Sequence, residues 1–369
     1  MSHLPRYTMP VLLTLCPLAC KTQPPPANAN HDATKRSTPK TAHLCGAWWP
    51  LAIKQLNCTD RFVEDLSAIT RLSKLQVLDL SRSDVFELKP LAHLTALKTL
   101  ALNHTAVRDL RPLARLTALK TLALNHTAVH DLRPLAHLTA LKTLALNHTA
   151  VHDLRPLARL TALKTVELNH TAVHDLRPLA RLTALKTVEL NHTKVRNLTP
   201  LRGLNRLYKL TLTNTLVGSL EGLSGLKSLR WLLVNHTAVH DLRPLRGCDL
   251  RVLSAAHTRV SEFPALSTRQ LLDLDLSGTQ VSTLGPLRGA PELRYLKLAE
   301  TKVTGLEALR DSAHLQYLDL SNTPVRSFGP LCGQSTLTVQ LSPTSSGARR
   351  AAVLAKACKE KTPKISRRR

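Results

Sequence analysis

From Leu97 the chain reads Leu-Lys-Thr-Leu-Ala-Leu-Asn-His-Thr-Ala-Val-Arg-Asp-Leu-Arg-Pro-Leu-Ala-Arg-Leu-Thr-Ala, and at Leu119 it begins again. Within that unit Leu100 and Leu102 alternate with Thr99, Ala101 and Asn103. A period of two is that of a strand with one buried face, so the leucines point inward and the other three outward. The period then changes, with Leu110, Leu113 and Leu116 falling on every third residue. That spacing suits a tight helical turn of the 3-10 kind, and Pro112 can occupy its start because no backbone donor is needed there. Each unit is therefore predicted to be strand, turn and short helical return.

Thr105, Thr127, Thr149, Thr171, Thr193, Thr215 and Thr237 are spaced by 22 residues, and Thr258, Thr279, Thr301 and Thr323 continue the series. Ser83 stands in for Thr one period earlier, giving about twelve units between Leu75 and roughly Ser335. Residues 97–118 and 119–140 differ only at Arg108/His130 and Arg115/His137, the mark of recent duplication, so sameness within a column carries little functional information. Seven apolar positions per unit gain roughly 1.5 to 3 kcal/mol each on full burial. Ordering the backbone costs about 1 to 2 kcal/mol per residue, so a single unit cannot fold alone. Stacked units bring equivalent strands together as a parallel sheet at a spacing of ~4.8 Å, with identical positions aligned as ladders.

This pattern resembles the leucine-rich-repeat family, and the 22-residue form with Asp-Leu-x-Pro-Leu is similar to the internalin-type repeats of bacterial surface proteins, over roughly residues 56–341. The resemblance implies an α/β solenoid with a curved parallel sheet on its concave face and short 3-10 or helical returns on its convex face. Thr occupies the position where Asn commonly forms the family's buried ladder; its hydroxyl carries one donor where an amide carries two. Family members bind very diverse partners, so the resemblance implies a binding surface and leaves the partner open.

An open solenoid needs caps. Residues 42–72 form the expected N-terminal cap, in which Val63, Leu66, Ile69 and Leu72 continue the pattern backwards, with Cys58 at a core-strand position and Cys45 thirteen residues earlier. The array proper occupies 73–335 and a C-terminal cap 336–358, where an Ala-rich helical segment over 347–358 ends at Cys358. Bridges Cys45 to Cys58 and Cys332 to Cys358 are expected, and both require an oxidising compartment.

Such a compartment agrees with the start of the chain. Arg6, the eleven-residue apolar run Met9 to Ala19 and then Cys20 read as a signal segment over 1–19, too short to span a bilayer. Leu18-Ala19-Cys20 resembles a bacterial lipobox, implying lipidation at Cys20 and an exported protein anchored to a bacterial cell envelope membrane. Pro17 departs from that pattern, so an ordinary export signal and an apolar start to a cytosolic chain are the alternatives. Residues 20–41 are rich in Pro, Asn, Thr and Ala and read as a flexible tether. Cys248 has no partner in this scheme.

With 51 Lys and Arg against 25 Asp and Glu, the chain carries a net charge of +26. Such a charge attracts anionic lipid, acidic polysaccharide or nucleic acid at long range. Copying spreads it into columns, Lys98, Lys120, Lys142, Lys164 and Lys186 in one, Arg111, Arg133, Arg155 and Arg177 in another. The basic stretch 359–369 reads as a disordered arm.

Aromatic residues make up only 3% of the chain, so the core is aliphatic and aromatics outside it are informative. Tyr208, Trp231, Leu233, Tyr295 and Tyr317 fall on outward or flanking strand positions in the later units, with Asp273, Asp275, Lys297 and Asp319 as a polar rim. Exposed Trp and Tyr are typical binding anchors. His104, His126, His148, His170 and His192 stack in a column, but copying alone produces it and no Cys or carboxylate joins it, so a solvated turn is expected and no metal. Asn103-His104-Thr105 and its copies are sequons in form, without expected sugars on a bacterial protein. No nucleophile beside a base, carboxylate pair in one site or Gly-rich phosphate loop is evident. The sequence thus predicts a non-enzymatic scaffold without cofactor or nucleic-acid partner, holding a protein ligand on its concave face. The alternative is an adhesin-like binder of anionic lipid, lipopolysaccharide or acidic polysaccharide through the basic columns.

Overall fold

The computed structural model describes residues 41–63, 65–342, 345–358 and 363–366. Its spine is one parallel sheet of 15 strands, each three residues long, running from Gln55–Asn57 to Lys364–Ser366. Each step in the sheet is one sequence unit: Thr99 pairs with Thr121, Thr121 with Thr143, and Ala101 with Ala123. Twelve strands, Val77–Asp79 through Tyr317–Asp319, are the predicted array, and the rest come from its flanks. The inward leucines, such as Leu97, Leu100, Leu102, Leu110, Leu113 and Leu116, are essentially fully buried in one continuous core.

The leucine spacing of three has a direct backbone cause. Leu113 N–H donates to Leu110 O, Leu116 to Leu113 and Leu119 to Leu116, each at 2.9 Å, so successive three-residue bonds put every third side chain on the same inner side. Pro112 sits in the first turn of the 3-10 segment Arg111–Leu113. The buried Thr column spends its hydroxyls on the same strand's end: Thr105 Oγ1 donates to Leu102 O at 2.7 Å, repeated by Thr127, Thr149, Thr171 and Thr193. Asn supplies the bond between units, since Asn147 N–H donates to Asn125 Oδ1 and Asn169 N–H to Asn147 Oδ1, both at 2.8 Å.

One unit departs from the rest. Residues 255–272, between the strands Val252–Ser254 and Asp273–Asp275, carry no 3-10 turn, and the unit is 21 residues long, as is the one before it. Phe263 is buried there at the position Leu holds in preceding units, and Cys248 is buried just before at another leucine position.

Both predicted disulfides are present, Cys45 with Cys58 and Cys332 with Cys358, at Cα separations of 5.6 and 5.1 Å. The N-terminal cap starts with an antiparallel hairpin, Thr41–Leu44 with Ala47–Pro50, whose Ala42 and Leu44 close the core. Thr41, read from composition as the last tether residue, already pairs with Pro50 and accepts a hydrogen bond from Arg71 Nη1 at 2.9 Å. At the other end α1, Ser345–Ala357, buries Ala351 and Leu354. Its Arg350 donates to Leu320 O at 3.2 Å and Thr323 Oγ1 at 3.0 Å.

The basic stretch 359–369 is not wholly an arm: Lys364–Ser366 adds a final strand, pairing with Thr338–Gln340. Alternating Lys-Ile-Ser places Ile365 beside Val339 and against the core, a signal that the surrounding charge had masked. The signal segment, Cys20 and the tether up to residue 40 lie outside the described residues. Among those described, no helix is long and apolar enough to cross a membrane.

Candidate functional site on the concave face

Two outward positions per strand line the concave face, and the sheet register turns them into two columns. In the first units these hold Thr99, Thr121 and Thr143 beside Ala101, Ala123 and Ala145. The alanines are about 1% exposed or less and form a small cluster apart from the core, so this part of the face is filled and smooth. The strand Thr165–Glu167 breaks the sameness, and from there onward the columns carry charge and bulk.

Glu167, only 8% exposed, accepts a hydrogen bond from Asn147 Nδ2 at 2.9 Å. Burial, reinforced by the neighbouring Glu189 carboxylate, pushes its carboxyl up to about 7, against the opposing pull of Asn147 and Lys209. Glu189 is better served: Asn169 Nδ2 donates to it at 2.9 Å and Lys209 Nζ at 2.7 Å. Thr211 follows Glu189 in the same column; it is 3% exposed and its hydroxyl has no hydrogen-bond partner. Glu167, Glu189 and Lys209 were not among the residues expected from sequence. The signal that would have found them was there, because Glu replaces Ala in units that are otherwise near copies.

Trp231 and Leu233 sit on the next strand, both half-buried, between Lys209 and Thr211 on one side and Val252 and Ser254 on the other. A second charged cluster follows. Burial, helped by Asp275, pushes the Asp273 carboxyl up to about 6 although Lys297 opposes it. Lys297 Nζ lies 3.6 Å from Asp275. Asp273, Tyr295 and Tyr317 share one column, and Asp275, Lys297 and Asp319 the other.

The expected residues therefore do not form one patch. Trp231 is three strands from Tyr295, about 14 Å at ordinary strand spacing, with Val252 and Asp273 between. Tyr208 precedes its strand and lies in the rim column with Lys186 and Arg230, its carbonyl accepting the backbone N–H of Arg230 at 2.9 Å and of Trp231 at 3.1 Å. Tyr295 Oη donates to Gln316 Oε1 at 3.1 Å. Asp275 and Asp319 each accept the backbone N–H two residues on, from Ser277 and Ser321, so they also hold turns.

Beside the sheet, His104, His126, His148, His170 and His192 occupy left-handed backbone positions with φ of 56° to 57°. Their rings stack 4.1 to 4.2 Å apart. Burial, then the neighbouring imidazoles, push His126 and His170 down, favouring the neutral ring. With the Asn column they border an open groove of about 790 Å³.

The two basic columns differ. Arg111, Arg133, Arg155 and Arg177 each pair at 2.8 Å with the Asp two residues before, so this column is locally balanced. Lys120, Lys142, Lys164 and Lys186 are exposed, and among the described residues no carboxylate pairs with them.

A family model for the leucine-rich repeat region matches residues 52–305. No curated protein matches the sequence. Among solved structures, an internalin from Listeria monocytogenes is similar at 22% identity and a TM-score of 0.67, covering 87% of this chain and 85% of that one. A leucine-rich-repeat protein of Leptospira interrogans is similar at 19% identity and 0.56, covering 85% and 93%. The plant peptide hormone receptor RGFR1, solved in complex with RGF2, is similar at 17% and 0.66, covering 79% and 53%. At these identities the likeness is one of fold.

Proposed function

The chain belongs to the leucine-rich repeat family, and from that premise we propose that it is a non-enzymatic scaffold that holds a protein ligand on its concave face around Trp231. The observation that carries this reading is the strand Trp231–Leu233: Leu232 is fully buried in the core, while Trp231 and Leu233 face the other way, half-buried, where earlier units have Thr and Ala. A large amphipathic ring held by a rigid sheet loses little freedom on binding, which is what makes such residues anchors. A peptide-binding receptor among the structural neighbours agrees with a polypeptide ligand. The two disulfides agree with an exported protein, tethered in this reading to the bacterial envelope through lipid on Cys20.

Envelope proteins captured on wild type and on Trp231→Ala test the binding. A ligand retained equally by both overturns the site. Fatty-acid labelling of wild type and Cys20→Ala tests the anchor, which fails if the two label alike. The unpaired Lys column favours a second reading, an anionic envelope ligand along the rim. Counterion release makes that binding fall steeply with salt, whereas an apolar anchor changes little.

A further inference from the structure

We infer that the concave face takes an extended segment of a partner protein bearing a basic side chain on each side of an apolar one, the basic groups seated at Glu167 and Asp273 and the apolar group on Trp231 and Leu233. The inference rests on the reading that this face is the binding surface, and it adds the chemistry of the partner.

Two clusters flank the Trp231 strand, and they have the same composition. Each has two carboxyls and one ammonium: Glu167, Glu189 and Lys209 before it, Asp273, Asp275 and Lys297 after it. In each the lysine pairs with one carboxyl, Glu189 or Asp275, and leaves the other without an ion-pair partner among the described residues. Both left-over carboxyls are withdrawn from water, and burial holds both well above the usual carboxylate range. A carboxyl in that condition gains from an arriving cation twice, through the ion pair and through relief of its own ionisation cost.

An independent observation lies between them. The hydroxyl of Thr211, next to Glu189 in the column and one strand from Leu233, is buried and unpaired. Buried polar groups are ordinarily satisfied, so an unpaired one at a surface strand marks a place where a ligand's polar atom completes the set. Anions are excluded by the same carboxyls, and a divalent metal by the lysine already inside each cluster.

Strand spacing sets the length of the segment. Glu167 lies three strands from Leu233, about 14 Å, and Asp273 two strands from Trp231, about 10 Å. At about 3.3 Å per residue in an extended chain, the first basic residue falls about four positions from the apolar one and the second about three beyond it. The net charge of +26 opposes a cationic segment at a distance, but is screened beyond roughly 8 Å at physiological ionic strength, whereas the desolvated carboxyls act at contact. Association should therefore quicken with added salt, opposite to an anionic ligand on the lysine rim.

The test is selection of a random twelve-residue phage-displayed peptide library on the immobilised full chain, followed by affinity of the winning synthetic peptide for variants. Glu167→Ala restores the unit that folds around Ala101, Ala123 and Ala145, and Asp273→Thr restores the Thr of the same column, so both keep the array. Enrichment of basic–apolar–basic peptides, with affinity falling tenfold or more in either variant, is the expected result. Acidic or uncharged winners overturn the inference, as does a winner bound equally well by both variants. If Trp231→Ala weakens the winner and the carboxyl variants do not, the concave site stands and the partner chemistry is wrong. If none of the three weakens it, or no peptide is enriched, both readings fall.

Discussion

Lys209 Nζ sits 2.7 Å from Glu189 Oε1, and this one contact divides two adjacent glutamates into a paired and an unpaired carboxyl. Glu167, the unpaired one, is raised from 4.5 to about 7 in the folded chain. A carboxyl raised on folding is better accommodated protonated, so its penalty is absent below about pH 4.5, grows between 4.5 and 7, and is complete above. Glu167→Gln keeps the shape and removes the charge. It should raise stability at pH 8 by roughly 3 kcal/mol and change little at pH 4, read from urea unfolding at the two values. An equal effect at both would show that Glu167 is ionised without cost.

Trp231→Ala should leave the fold intact, because Leu232 and not Trp231 is in the core. A central Trp anchor costs about 2 kcal/mol or more on truncation, over twentyfold in affinity. Titration calorimetry with a captured ligand or selected peptide, alongside thermal unfolding of both proteins, separates lost binding from lost fold.

Deleting residues 119–140 should also be tolerated. The strand Thr143–Ala145 would then meet Thr99–Ala101 in the place of Thr121–Ala123, with the same side chains, the same Thr hydroxyl bond and the same Asn bond between units. Circular dichroism should show the sheet retained and ligand affinity unchanged, since the deleted unit carries none of the charged or aromatic positions of the proposed concave site. Loss of binding in a folded deletion would move the site into the copied half.

Breaking Cys332 to Cys358 with a double Ser variant should free α1 before the sheet. The bridge closes a 26-residue separation, for which loop entropy gives about 3.5 kcal/mol. Hydrogen exchange should accelerate over Ser345–Ala357 and stay slow in the strands around Leu210 and Leu232. Uniform acceleration across the array would mean that the cap and solenoid unfold as one unit.

The repeated part of the fold was legible because repetition averages over ambiguity: Leu100 and Leu102 alone fit several structures, but a dozen aligned copies fit one. The segments that escaped occur once. Thr41 and Lys364–Ser366 sit among polar or basic neighbours, and only the tertiary sheet gives them partners. The proposed site was half legible. Trp231 announces itself by type, whereas the reading of the sequence passed over Glu167, and nothing local reveals that Glu189 and Asn147 would close around it. Asp319, read as rim polarity, also holds a turn through the Ser321 N–H that its Oδ1 accepts, a local bond that the strand pattern does not announce.

The short strand Lys364–Ser366 has one more consequence. A parallel sheet made of nearly interchangeable strands is a template for another copy of itself, and an uncovered edge invites end-to-end growth into filaments. Here the last edge is three residues long, begins with exposed Lys364, and is followed in sequence by Arg367, Arg368 and Arg369. Positive charge around this edge opposes its pairing with a strand of another basic chain, and the sheet's other edge strand, Gln55–Asn57, is preceded in the chain by a separate antiparallel hairpin that belongs to no repeat. The features that set the two ends apart from the array lie in segments that were never copied.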